Sequence, residues 1–319
     1  MMDQSFYREL GHAITVIDTG YHRPGFDASY LLLAGDEAAF IDVGTAFSVP
    51  RLLQVLAEKN IPRQQVRYVM VTHVHLDHAG GAGSLLRELP EAQLIVHPRG
   101  AAHMIDPAKL ITGAAAVYGE ARFRALYGEI IPVSAARVIE AADGFQLALN
   151  GRPLLFLDTP GHARHHYCIY DETSRGIFTG DTFGLSYREF DSALGPFIFP
   201  TTTPVQFEPE AMHASIERLL TLRAERLYLT HYGCVDDPPR LAARLHVLID
   251  QFVDFARTVN AVGDARQQVL EQGVSAILLQ VLDAHGCTLT RARALELLAV
   301  DVRLNAQGLA VWLDRQSQH

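Results

Sequence analysis

The sequence predicts an α/β domain followed by a helical C-terminal extension, and three observations carry that prediction. Short β-branched or aliphatic runs alternate with amphipathic segments as far as about residue 230. From Pro238 onward apolar residues fall at helix spacing instead. Several of the predicted strands also end on histidine or aspartate, which gives the sheet edge a chemistry of its own.

The first strands are expected at Ala13 to Thr19, Ser29 to Ala34 and Ala38 to Asp42, each bounded by turn residues. A helix from about Val49 to Glu58 leads to a strand at Arg67 to Thr72. A glycine-rich junction then enters a helix near Gly83 to Glu88, followed by a strand at Gln93 to His97. Between about residues 98 and 132 the strand pattern gives way to apolar residues at irregular helical intervals, which predicts an inserted helical cover. Strands resume at Gln146 to Leu149, Leu154 to Asp158, Tyr167 to Tyr170 and Gly176 to Thr179. A helix at about Glu208 to Leu222 and a strand at Arg226 to Thr230 complete the alternation. The expected division is therefore a domain over 1–237 and a helical extension over 238–319, in keeping with a length too great for one ordinary domain.

Apolar residues make up 49% of the chain and charged residues 20%, which is enough to build a core and argues against disorder. The net charge of −9 and the scatter of the basic residues exclude the electrostatic footprint that nucleic acid requires. Met1 to Ser5 lacks the basic-then-apolar pattern of a secretory signal, and no apolar stretch reaches the roughly 20 residues that span a bilayer. The expectation is a cytoplasmic protein that acts on a small molecule, without nucleic-acid or membrane partners. The helices after Pro238 are expected either to cover a pocket or to build a homo-oligomer interface. Cys168, Cys234 and Cys287 are too few and too far apart for a disulfide framework or a cysteine-rich zinc site.

Histidine carries the chemistry. In extended chain, residues two apart project the same way, so His73 and His75 can reach one point beyond the strand, while Asp77 and His78 turn to a neighbouring point. Imidazole and carboxylate ligands together suit zinc or another borderline divalent ion better than calcium or magnesium. Gly80, Gly81 and Gly83 let the next helix start close behind; no Gly-Lys-Ser/Thr follows, so a phosphate loop is disfavoured. Thr159-Pro160-Gly161-His162, Phe178-Thr179-Gly180-Asp181 and Leu229-Thr230-His231 each place a further ligand-capable residue directly after a predicted strand.

With Asp42 in Ile41-Asp42-Val43-Gly44, these motifs in this order resemble the metallo-β-lactamase superfamily, and within it the glyoxalase II-like and lactonase-like hydrolases. The resemblance spans about residues 13 to 235. It implies a four-layer αββα sandwich with two divalent metal ions at one edge, between the sheets; zinc comes first, with iron or manganese as alternatives. It assigns His73, His75 and His162 to the first ion, Asp77, His78 and His231 to the second, and Asp181 to a bridge. Asp42 would support a ligand from behind, unless it only forms a turn before Gly44.

The implied reaction is attack of a metal-bound hydroxide on an ester, thioester or lactone carbonyl, with Asp77 steadying the nucleophile or relaying a proton. No protein nucleophile is needed: Gly-x-Ser-x-Gly is absent, and Cys168 falls on a predicted strand interior. The alternatives are a mononuclear iron enzyme like the persulfide dioxygenases, a phosphodiesterase, and a non-catalytic binding module. The complete ligand set disfavours the last of these. His165, His166, Tyr187 and Arg188 are candidates for shaping the site, and Tyr118, Arg122, Tyr127 and Phe197 to Pro200 for lining it; plain packing is the competing explanation for each.

Overall fold

Apolar residues repeat every second position along the early part of the chain, and the backbone pairs accordingly. The computed structural model describes residues 6–203 and 205–317; Met1 to Ser5 and the side chain of Tyr118 lie outside the described residues. The first sheet holds β1 (Tyr7–Glu9), β2 (Ile14–Asp18), β3 (Ala28–Ala34), β4 (Glu37–Ile41), β5 (Val66–Met70), β6 (Gln93–Val96) and β7 (Val138–Glu140), in that spatial order. β1 to β4 are antiparallel neighbours, whereas β4 to β7 run parallel. Parallel neighbours need crossovers. These come from α1 (Val49–Glu58), from α2 (Leu76–Ala79) with α3 (Ala82–Glu88), and from α4 (Pro98–Ile105), α5 (Ala108–Tyr118) and α6 (Glu120–Tyr127).

The second sheet holds β8 (Gln146–Leu149), β9 (Arg152–Asp158), β10 (Tyr167–Asp171), β11 (Gly176–Gly180), β12 (Arg226–Leu229) and β13 (Gly233–Asp236), again in chain order across the sheet. β8 to β11 are antiparallel and β11 pairs with β12 in parallel. Both sheets are thus mixed. The fold is an α/β sandwich of two mixed sheets flanked by helices, with a helical region at the C-terminal end.

The alternation in β2 to β4 sorts side chains between two cores. Val16, Tyr30, Leu32 and Ile41 meet Phe156, Tyr167, Phe178 and Tyr228 of the second sheet. Ile17, Leu31 and Phe40 face the other way, onto Leu52, Val55 and Leu56 of α1, Leu85 and Leu86 of α3 and Met104 of α4. With both faces covered, every residue of β2 is buried. Cys168 is also buried, its thiol directed at the Thr179 carbonyl, as expected of a strand-interior residue.

The chain forms two compact units. One takes the chain up to Asp158, His165–Gly180 and Arg226–Cys234; the other takes Thr159–Arg164, Asp181–Glu225 and the chain from Val235. The second unit contains α7 (Pro209–Leu220), α8 (Pro238–Arg257), α9 (Gly263–Ala284) and α10 (Arg291–Gln316). α8 opens on proline, with the Asp237 side chain capping the Arg240 amide, and Thr290 caps α10 in the same way. The segment around Thr202 lies directly on α10. A Cβ on Gly308 would meet the Thr202 carbonyl oxygen at 1.4 Å, and the Thr202 hydroxyl donates to the Asn305 carbonyl at 3.0 Å. Helices, loop and cap therefore make one packed body, and the C-terminal helices share their core with a middle segment of the chain. No helix of the described residues is long and apolar enough to cross a membrane.

Candidate metal centre

β5 ends at Met70, the chain bends at Thr72 and His73, and His75 returns to extended backbone, with φ −62° and ψ 148°, at the N-terminus of α2. The switch from non-helical chain to helix separates the expected ligands into two pairs. His73 and His75 precede the helix, while Asp77 and His78 leave the first turn of α2. The glycines behind them serve close packing. A Cβ on Gly83 would stand 2.0 Å from the Ile131 carbonyl oxygen, and one on Gly81 2.6 Å from that of Thr45.

The first unit brings five of the seven expected ligands onto its own framework: His73, His75, Asp77, His78 and His231. Within it, Asp77, His78 and His231 each offer a donor atom within 4.8 Å of the others, a group able to hold a metal ion. The two imidazoles are fixed from behind. His78 Nδ1 lies 2.8 Å from Asp42 Oδ2, and His231 Nδ1 lies 2.8 Å from the Phe26 carbonyl oxygen. Each ring thereby carries its hydrogen on Nδ1 and turns Nε2 towards Asp77, at 4.0 Å for His78 and 3.6 Å for His231. Two neutral imidazole nitrogens and a carboxylate are the donors a borderline divalent ion takes. This backing is what makes the residues fit a metal.

Asp42 does more than form a turn. Its carboxylate is fully buried and accepts from the Thr72 amide at 2.8 Å, the Thr72 hydroxyl at 2.9 Å and the Thr230 hydroxyl at 2.8 Å, besides facing His78. The residue has φ +47°, a conformation that Asp and Asn tolerate better than most side chains.

His73 Nε2 and His75 Nδ1 are 2.8 Å apart, and the His73 ring centroid is 4.0 Å from that of His78. His165 and His166 are buried beside them, with ring centroids 6.1 Å and 4.9 Å from that of His73. They therefore form part of the wall behind the ligands rather than a surface pair.

The second unit holds the other two expected ligands next to each other. His162 Nε2 is 3.4 Å from Asp181 Oδ2, and its Nδ1 is 3.2 Å from the Thr201 carbonyl oxygen, the same backing seen for His231. Gly161 has φ +131°, and a Cβ there would meet the Met212 backbone at 2.4 Å, so only glycine fits before His162.

Some sequence candidates belong to the packing. The Tyr187 hydroxyl donates to Asp301 at 3.0 Å with both side chains buried, and Arg188 pairs with Asp191 at 3.3 Å. Phe197, Ile198 and Phe199 are fully buried. Arg122 is exposed, whereas Tyr127 is buried and shares a hydrogen bond with Tyr21, hydroxyl to hydroxyl at 3.1 Å. Residues that the sequence reading missed lie between β2 and β3. Phe26 supplies the carbonyl that holds His231 and packs its ring 5.3 Å from that imidazole. Its neighbour Asp27 is buried with the Thr19 hydroxyl donating to it at 2.6 Å; burial pushes its carboxyl well above the usual carboxylate range, against the opposing effect of His78. The aromatic and turn-rich run Tyr21-His22-Arg23-Pro24-Gly25-Phe26-Asp27 was the available signal.

A sandwich of two mixed sheets with histidine and aspartate gathered at strand ends defines a class of metal-binding α/β proteins. The sequence profile of the Metallo-beta-lactamase superfamily matches residues 15–231, and the chain belongs to that superfamily. It is 27% identical over 172 residues to the metallo-beta-lactamase fold-containing protein ST1585 of Sulfurisphaera tokodaii, covering 53% of this chain and 61% of that one. The crystal structure of ST1585, described as from Sulfolobus tokodaii, superimposes with a TM-score of 0.65 at 21% identity, over 93% of this chain and 98% of that one. The acyl-coenzyme A thioesterase MBLAC2 of Gallus gallus is 28% identical over 192 residues, covering 55% of this chain and 64% of its own. The hydroxyacylglutathione hydrolase of Yersinia pestis is 24% identical over 205 residues, covering 64% and 61%. The chain thus spans less than two thirds of the length of each of these three curated relatives.

Proposed function

We propose that the chain is a dinuclear metal-dependent hydrolase acting on small acyl substrates, with thioesters ahead of lactones and simple esters. The observation that carries this reading is the Asp77, His78 and His231 group, in which two imidazoles are held from behind so that their free edges face one carboxylate. His78, His231 and Asp77 would hold one ion, and His73, His75 and His162 the other, with Asp181 between them. Among the relatives, one is named for hydrolysis of acyl-coenzyme A and another for that of hydroxyacylglutathione, which supports a thioester.

Ions held there would supply a water acidified to a pKa of about 7 and a Lewis acid for a carbonyl oxygen. The chain's own residues then orient and relay. Asp77, whose side chain is 25% exposed, is the carboxylate placed to take a proton from the attacking water. Asp42 keeps the His78 ring in one tautomer, and the Phe26 carbonyl does so for His231. The Phe26 ring beside His231 excludes water from that flank.

The test is a substrate panel on the zinc-loaded chain: acyl-coenzyme A and acylglutathione thioesters, lactones, carboxylic esters and a phosphodiester. The highest kcat/KM is expected for a thioester. A clear preference for the phosphodiester would overturn the acyl assignment.

A further inference from the structure

Away from the seven ligands, α7 and α8 carry a reciprocal pair of motifs. His213 precedes Glu217 by four residues on α7, and His246 precedes Asp250 by four on α8. Residues four apart are neighbours on a helix face. The contacts nevertheless cross between the helices: His213 Nε2 lies 3.1 Å from Asp250 Oδ1, and His246 Nε2 lies 2.8 Å from Glu217 Oε1. The two Nδ1 atoms face each other at 2.6 Å, with ring planes within 18° and ring centroids 4.9 Å apart.

The proton count makes this arrangement informative. The hydrogen bond between His213 Nε2 and Asp250, and the negative charge of Glu217 beside His246 Nε2 though off the direction of a hydrogen bond, favour hydrogen on Nε2 in both rings, which leaves a lone pair on each Nδ1. Two lone pairs at 2.6 Å repel unless something positive lies between them. A proton is one such cation and a metal ion is another. The carboxylates bring two negative charges that favour either, and Asp250 holds the His213 ring as an acceptor behind a metal-bound histidine does.

We propose that His213 and His246 form a separate binding site for one borderline divalent ion, of the zinc, nickel or copper kind, taken through the two Nδ1 atoms, with Asp250 backing the His213 ring and the Glu217 charge beside His246. The imidazole side chains are 28% and 23% exposed, so an ion reaches them from solvent. Two nitrogens bound at about 2.0–2.1 Å to a tetrahedral ion stand about 3.3 Å apart, which small side-chain rotations supply here. Both helices belong to one compact unit, and none of the four residues is among the seven proposed catalytic ligands.

The experiment titrates zinc into chelator-treated full-length chain and into the His213→Ala/His246→Ala variant, reading bound metal per chain. The unsubstituted chain is expected to take up one equivalent more, while thioester hydrolysis by the zinc-loaded proteins is the same. Copper(II) added in place of zinc is expected to show nitrogen couplings in its electron paramagnetic resonance spectrum that the variant lacks. Asp250→Asn and Glu217→Gln should weaken this equivalent by about 10–100-fold. His246→Gln, which keeps a polar side chain of similar reach, is expected to lose it as the double variant does. Equal uptake by the unsubstituted chain and the folded variants would overturn the proposal and leave the pair as a hydrogen bond with a shared proton.

Discussion

His231→Ala is expected to remove one of the two catalytic metal equivalents and to lower thioester hydrolysis by more than 100-fold. Losing a group that merely supports a ligand costs about 10–100-fold in metal affinity or activity, and His231 is itself the proposed ligand. The fold should tolerate the change. Truncation removes the bond that the ring donates to the Phe26 carbonyl, a neutral acceptor. Metal analysis and thermal denaturation of the same preparation check both halves: metal falls while the melting temperature of the metal-free protein stays near that of the unsubstituted chain.

Asp42→Ala should behave differently, because Asp42 serves the fold and the metal together. The Thr72 amide, the hydroxyls of Thr72 and Thr230, and His78 Nδ1 all converge on its carboxylate. Leaving one buried donor unmet costs about 1–3 kcal/mol, and four share this acceptor, so a total loss of at least about 4 kcal/mol is expected. Alanine at φ +47° adds strain that asparagine avoids. Asp42→Asn should therefore keep much of the stability and still lose metal affinity by about 10–100-fold, since an amide cannot hold the His78 ring as a carboxylate does. Chemical denaturation of both metal-free variants, alongside zinc titration, separates the structural cost from the loss of ligand support.

The candidate site was legible in the sequence because its expected ligands sit where strands end, and strand ends are legible from period-2 runs stopping at turn residues. α1 begins and ends where its apolar spacing places it, at Val49 and Glu58. β2 and β3 were visible as apolar runs because both their faces are largely covered. The strands that escaped notice, β1, β7 and β13, have only three or four residues each, too few to establish a period. What fixes the ligands was harder to read. The Phe26 carbonyl and His231 are 205 positions apart in the chain, and a backbone acceptor has no side-chain signature. The Asp42 hub joins residues from β4, from the segment after β5 and from the segment after β12, which only the sheet pairing brings together.

For the candidate wall residues, whose competing explanation was plain packing, the long-range partners were equally hidden in the sequence. Tyr187 follows Asp181 by six positions, and proximity in sequence made it a candidate, but its hydroxyl is taken by Asp301 on α10, 114 residues later. The Phe197 to Phe199 segment likewise sits in the core of the second unit, whose helices draw residues 181–225 towards themselves. A cut of the chain near Pro238 can be read from helix spacing; the sharing of a core between distant segments cannot.

The central claim is that hydrolysis by this chain depends on metal held by the His73 to His78 cluster with His162, Asp181 and His231. The most direct measurement follows thioester hydrolysis as zinc is returned to chelator-stripped His213→Ala/His246→Ala protein, so that uptake reports the catalytic site alone. The account predicts no hydrolysis in the stripped protein and a linear return of activity that stops at two bound equivalents. Undiminished hydrolysis by protein shown by elemental analysis to be free of metal would contradict it.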